Sequence, residues 1–309
     1  MSKLFKTYQI NSGTPGPHVL ITAGVHGDEY EPIMAAGKLV DEIKTVLRNG
    51  KVTIVPVVNV SAYKLKNRCG DDGLDLARTC PGNAEGTVTE QVAFHISDLI
   101  RKADYYIDLH TGGKTLDIFP LAGYMLHNSE KVLNDQRKMA EAFGLPLIWG
   151  TEKSAEGRTL SVARDVNVPA IYVEYGGPEP VSENIIKEYI EGCLNVLASF
   201  SLLGSRKLSR KKFLYWVEDH RINSGHLQSK NPAPVGGIFV PAVKPGSMIR
   251  SGELWGVIEN SISEQTEIRA NTDGFVLLTR VKGYVNKDDS LGGSLPLAEL
   301  GKITINEYC

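Results

Sequence analysis

The feature of this sequence that most limits its fold is a repeated pairing of short apolar runs with amphipathic stretches across residues 1–200. PHVLITAG (17–24), KVTIVPVVN (51–59), DYYIDLH (104–110) and PAIYVEYGG (169–177) have the length and composition of strands. Each is followed by a stretch with helical periodicity: residues 32–50, 90–103, 129–144 and 182–200. Pro32 fits a first helical position, Gly50 and Gly144 fit stops, and Ser182 fits an N-cap. Strands alternating with helices predict an α/β fold, with parallel strands covered by helices.

The pairing stops near residue 203. GSRKLSRKK (204–212) is basic and polar and reads as a linker. Residues 213–309 hold short apolar runs broken by Gly, Pro, Asn and Asp, with turns expected at Pro245-Gly246, Ser251-Gly252 and Asp273-Gly274. That is a β-rich pattern. A chain of 309 residues accommodates roughly two domains, which are placed at 1–203 and 213–309. No long-period repeat is present.

Charge excludes some functions. With 34 basic and 36 acidic side chains the net charge is −2, so no basic field exists to draw nucleic acid or an anionic membrane. No apolar run approaches the ~20 residues of a membrane span, and MSKLFKTYQINSG lacks the features of a signal peptide. Cys69, Cys80, Cys193 and Cys309 form no Cys-x-x-Cys pair. These observations predict free thiols and a cytoplasmic location.

The polar residues fall at strand ends. One strand runs into His26 and Glu29, another ends at His110, and a third at Glu174. In open α/β sheets, ligands bind outside the carboxyl ends of strands, so three distant segments can meet in one crevice. His26 and Glu29 are three positions apart and share a face if a helix starts there. Two imidazoles and a carboxylate suit zinc and leave a fourth position for water, the arrangement of a hydrolytic site. Zinc lowers the pKa of such a water to about 7. Asp108 points to the same strand face as His110 and is a candidate outer partner for it. Glu174 lies inside an apolar run, where a carboxylate must be paired or neutralised. Gly27 is expected to permit a tight turn between His26 and Glu29. His18, His95, His127, His220 and His226 have no ligand-like context and read as structural or exposed.

GVHGDE (24–29), NVSAY (59–63) followed by Arg68, DLARTCPG (75–82), IDLHTGG (107–113) and VPAIYVEYGG (168–177) together resemble the succinylglutamate desuccinylase and aspartoacylase family of the zinc carboxypeptidase superfamily. The resemblance implies a zinc-carboxypeptidase-like mixed sheet flanked by helices. It implies one Zn2+ per chain, with His26, Glu29 and His110 as ligands. Glu174 matches the general base, and Arg68 matches an arginine that polarises the scissile carbonyl. Arg78 matches the arginine that grips a substrate carboxylate. Arg158 lies where the family can place another substrate-contacting arginine.

Two positions depart from the family pattern. Ala77 replaces an asparagine and Cys80 replaces a usual phenylalanine, so a roomier or differently polar substrate pocket is expected around Arg78. Residues 236–260 and 266–276 resemble the barrel-sandwich fold of biotinyl and lipoyl carriers. The hairpin between Trp255 and Arg269 lacks a lysine to carry such a group, so a structural or substrate-shaping role is expected.

The resulting expectation is a zinc-dependent amidohydrolase acting on an N-acyl amino acid or a similar small carboxylate-bearing substrate. A carboxypeptidase-like metallopeptidase for short or unusual peptide bonds is the alternative, because Arg78 serves either substrate. A non-catalytic binding protein on the same fold is the third reading. The partner is a small acyl-amino acid or short peptide, with no nucleic acid and no membrane, and the sequence leaves room for a homo-oligomer.

Overall fold

A computed structural model of the chain describes residues 4–178, 180–204, 213–226, 231–261, 264–296 and 303–305. Most of the expected linker therefore lies outside the described residues, as does Cys309. The strands are β1 (Tyr8–Asn11), β2 (His18–Ala23), β3 (Lys51–Val55), β4 (Tyr105–His110), β5 (Leu116–Met125), β6 (Leu147–Thr151), β7 (Ala170–Gly176), β8 (Tyr215–Glu218), β9 (Gly237–Pro241), β10 (Met248–Ile249), β11 (Leu254–Ser261), β12 (Glu264–Arg269), β13 (Gly274–Arg280), β14 (Gly283–Val285), β15 (Gly292–Leu295) and β16 (Ile303–Ile305). The helices are α1 (Tyr30–Val46), α2 (Val60–Leu65), α3 (Val88–Arg101), α4 (Glu130–Phe143), α5 (Thr159–Asp165) and α6 (Glu183–Ser199).

The expected strands form the centre of one mixed sheet, in the order β1-β3-β2-β4-β7-β5-β6-β8-β16. β3, β2, β4 and β7 run parallel, while β5 lies antiparallel to β7. Alternation along the strands sorts the side chains. Val19, Ile21, Ile107, Leu109, Ile171 and Val173 pack in one core with α1, α4 and α6. Leu20, Tyr106 and Ala170 face the other way, into a core with α3 and α5. The polar strand residues Thr22, Asp108, His110, Tyr172 and Glu174 alternate onto this second face.

The structure departs from the sequence reading at several elements. β3 stops at Val55 because Pro56 has no N–H for the ladder. The first helix ends at Val46 with an extended Leu47, and Gly50 instead approaches the backbone of Pro17. β5 carries Pro120 and Gly123, and β6 is only LIWGT, so neither announced itself as a strand.

The described residues from 213 on are β-rich, and several join the large sheet. β8 lies parallel to β6, and β13 pairs antiparallel with β5 through Leu278↔Ile118 and Thr279↔Asp117. A second, four-stranded sheet has the order β12-β11-β9-β14. Phe239, Trp255, Ile258, Val276, Val285 and Leu291 fill a core of its own. No described helix is long and apolar enough to cross a membrane.

Candidate active site

Register places the polar strand residues in two cross-sheet rows. Thr22, Asp108, Tyr172, Gly123 and Trp149 are successive partners from β2 to β6. Two residues along, His110 pairs with Glu174, which pairs with Leu121. Gly123 is required in the first row: a Cβ there would come within 2.2 Å of the Tyr172 ring. The phenol of Tyr172 thus lies across β5.

His26 and Glu29 arrive from the turn between β2 and α1. They do not share a helix face, since α1 begins only at Tyr30 with Glu29 as its N-cap. The Glu29 side chain makes no capping bond. It faces the histidines instead, with Oε1 at 2.7 Å from His26 Nδ1 and Oε2 at 3.0 Å from His110 Nδ1. Gly27 serves a close approach: a Cβ there would sit 2.0 Å from the Ala62 carbonyl carbon. The donor atoms of His26, Glu29 and His110 all lie within 4.8 Å of one another, and all three residues are buried.

The outer nitrogens of both imidazoles face carboxylates. His26 Nε2 lies 3.1 Å from Asp75 Oδ1, and His110 Nε2 lies 3.1 Å from Asp108 Oδ2. Asp108 is itself fixed by hydroxyl donors, Thr22 at 2.6 Å and Thr159 at 2.5 Å. Metal-binding histidines are typically oriented in this way by a carboxylate on the far nitrogen. The donor set therefore fits a divalent metal ion.

Burial works against charge at each member, but the partners prevail. Burial alone would lower both histidine pKa values, yet Glu29 raises His26 and Asp108 with Glu29 raises His110. Burial alone would raise Glu29 and Asp75, yet His26 and His110 hold Glu29, and His26 with Arg68 holds Asp75, well below the usual carboxyl range. Three carboxylates around two imidazoles favour positive charge at this spot, which a dication supplies.

Glu174 behaves differently. Burial pushes its pKa up to about 7, against the opposing field of His110. Its Oε2 is buried and has no hydrogen-bond partner among the described residues. A carboxylate so perturbed beside a donor cluster is a candidate general base.

A cavity of about 110 Å3 opens here, and its lining includes all seven predicted site residues: His26, Glu29, Arg68, Arg78, His110, Arg158 and Glu174. Arg68 is oriented by Asp75, with Nε and Nη2 each 3.0 Å from Oδ2. Among the described residues Arg78 bonds only the Ala77 carbonyl, and burial and then neighbouring Arg158 press its pKa down. Arg158 donates through Nη2 to the Gly225 carbonyl at 3.2 Å and contacts His226, while its Nε is buried without a partner among the described residues. Neither Arg78 nor Arg158 has a carboxylate partner among the described residues. Such a pair of cations suits an anionic ligand.

Ala77 lines the cavity, but Cys80 does not. Cys80 packs into the α3/α5 core, and burial pushes its thiol up to about 12. Burial also raises Cys69 and Cys193, so none of the three described thiols is an activated nucleophile. Sequence reasoning missed Asp75, Thr22, Thr159 and the contact of His226 with Arg158. Asp75 stood within the DLARTCPG motif, whereas the two threonines carried no signal of their own.

Residues 15–200 match the model of the succinylglutamate desuccinylase/aspartoacylase catalytic domain. The chain belongs to this family. Over 288 residues it is 30% identical to the N-alpha-acetyl-L-2,4-diaminobutyric acid deacetylase of Halomonas elongata, covering 89% of this chain and 81% of that relative. Two solved structures share the fold. A product-bound ectoine utilization protein EutE (DoeB) from Ruegeria pomeroyi has TM-score 0.83 at 24% identity, covering 93% of this chain and 87% of that one. A succinylglutamate desuccinylase/aspartoacylase from Rhodobacter sphaeroides has TM-score 0.81 at 24% identity, covering 94% and 88%.

Proposed function

We propose that this protein is a zinc-dependent amidohydrolase that removes the acyl group from an N-acyl amino acid or a similar small carboxylate-bearing amide. The carrying observation is Glu174: a half-buried carboxylate whose Oε2 is buried and unpartnered among the described residues, in the same sheet row as His110. The relative that deacetylates N-acetyl-diaminobutyrate supports the reaction class. His26, Glu29 and His110 would hold one zinc ion. Bound there, zinc supplies a Lewis acid and acidifies a water toward neutrality.

The protein residues divide the remaining work. Glu174 accepts the proton of the attacking water and returns it to the leaving amine nitrogen. A pKa near neutrality allows both transfers. Arg68, held by Asp75, faces the scissile carbonyl and stabilises its developing negative charge. Arg78 and Arg158 grip the substrate carboxylate. Ala77 leaves space beside them where the family pattern has an amide. Asp75 and Asp108 are positioning residues that fix the two imidazoles. The C-terminal β-rich part, read as barrel-sandwich-like, shapes the cavity through β13 and is not a carrier arm.

Metal analysis of the purified protein, followed by hydrolysis assays on N-acyl amino acids and dipeptides before and after chelation, tests this reading. Stoichiometric zinc, loss of activity on chelation and recovery on zinc addition are expected. Protein that takes up no zinc, or a Glu174→Ala variant with full activity, would overturn it.

A further inference from the structure

Two β-bulges shape one wall of the cavity. On β5, Ile118 pairs with Gly176 and Leu121 with Glu174, so β5 holds one extra residue. On β13, Val276 pairs with Ser294 and Leu278 with Gly293, again with one extra residue. A bulge re-aims the side chains that follow it. The first returns Leu121 to the face of Leu116 and Ile118. The second lets neighbouring Leu277 and Leu278 reach the same space. These five residues line the cavity and bring no polar side-chain atom to it. Across the strand pair, Leu278 stands opposite Ile118.

Arg158 lies elsewhere, with Arg78 as its charged neighbour. A Cβ on Gly225 would meet Arg158 Nη1 at 3.2 Å and the Thr151 Cβ at 3.5 Å, which places this guanidinium beside Thr151. Thr151 pairs with Met125, four positions along β5 from Leu121. Between the two levels lies the Tyr172–Gly123 pair, and Glu174 stands at the edge of the leucine wall. The two halves of a substrate cut at Glu174 therefore meet different surroundings. The half with the carboxylate belongs with Arg78 and Arg158, and the acyl half faces the leucines. A succinyl carboxylate pushed against that wall would be desolvated with no cation among its residues. An acetyl group would leave most of the wall uncovered.

We propose that the substrate's acyl group is an aliphatic chain longer than acetyl, and that Leu277 and Leu278 of the C-terminal part set its accepted length. This rests on the deacylase reading above. The test is kcat/KM of the zinc-loaded full chain on one amino acid bearing N-acetyl, N-butyryl, N-hexanoyl or N-succinyl groups. Each methylene seated on the wall should raise kcat/KM about fourfold, so butyryl exceeds acetyl by about 16-fold. Succinyl should fall at least about tenfold below butyryl. Leu278→Phe fills the space and should shift preference back toward acetyl; Leu277→Ala should move the optimum to a longer chain. A preference for acetyl or succinyl, or a flat series, overturns the inference while leaving the deacylase reading intact. Unchanged chain preference in both variants, each folded by circular dichroism, overturns the assignment of the leucines. No turnover of any acyl amino acid by zinc-loaded protein defeats the deacylase reading and this inference with it.

Discussion

Glu174 on β7 and Glu218 on β8 are strand carboxylates in the same sheet, and their surroundings treat them in opposite ways. Glu218 is closed by its neighbours: Tyr124 donates to Oε1 at 2.6 Å, and Arg137 donates to Oε1 at 2.7 Å and to Oε2 at 2.8 Å. Burial alone would raise its pKa, but Arg137 and Tyr124 hold it below the ordinary glutamate value. At Glu174 burial wins and the value rises to about 7, with one oxygen left unpartnered. A buried acceptor without a donor costs about 1–3 kcal/mol. A carboxylate kept for stability is closed by partners as Glu218 is; one kept for chemistry stays open to a reactant. The contrast singles out Glu174 as the open carboxylate of the two, which is why the proposed mechanism places the proton transfers there.

Three substitutions at the open end sharpen this contrast. Glu174→Gln preserves shape and removes the basic oxygen. We expect kcat to fall by about 10^3-fold with zinc content unchanged, measured by steady-state kinetics and metal analysis. Activity within tenfold of wild type would break the contrast. Asp108→Asn keeps the threonine contacts but weakens the hold on His110 Nε2. Zinc affinity should drop about 10–100-fold in a chelator competition, and saturating zinc should restore most of the activity. Arg78→Ala should lower kcat/KM about tenfold, mainly through KM, because it removes a charge-assisted bond to a group that does not react. An effect confined to kcat would place Arg78 at the reacting carbonyl instead.

The sheet's central strands were legible because each is a mostly apolar run between helical stretches. The same runs gave away His110 and Glu174, since ionisable residues there contradict the pattern around them. β5 and β6 were not legible. Pro120, Gly123 and Gly150 dilute their strand composition, and their role depends on what crosses them: Gly123 admits the Tyr172 ring, and a Cβ at Gly150 would come within 2.9 Å of Tyr124. Asp75 escaped notice because its function depends on contacts at once with His26 and Arg68, 49 and 7 positions away. The leucine wall was invisible for a related reason. Leu277 and Leu278 meet the cavity only through the pairing of β13 with β5, which no local pattern encodes.

The smallest expected effect lies at the closed end. Glu218→Gln should leave kcat and KM nearly unchanged but destabilise the fold by about 1–3 kcal/mol at pH 7, read from denaturant midpoints. The sign with pH follows from the depressed pKa of Glu218. Its stabilisation is fully present above the unfolded value, near the ordinary 4.5, and fades as pH falls through the lower folded value. Arg137 stays charged throughout, so the loss on acidification belongs to the carboxylate. The stability gap between wild type and Glu218→Gln should therefore be widest at neutral pH and narrow below about pH 4. A gap independent of pH would mean that shape, not charge, closes this site. It would also remove the electrostatic half of its contrast with Glu174.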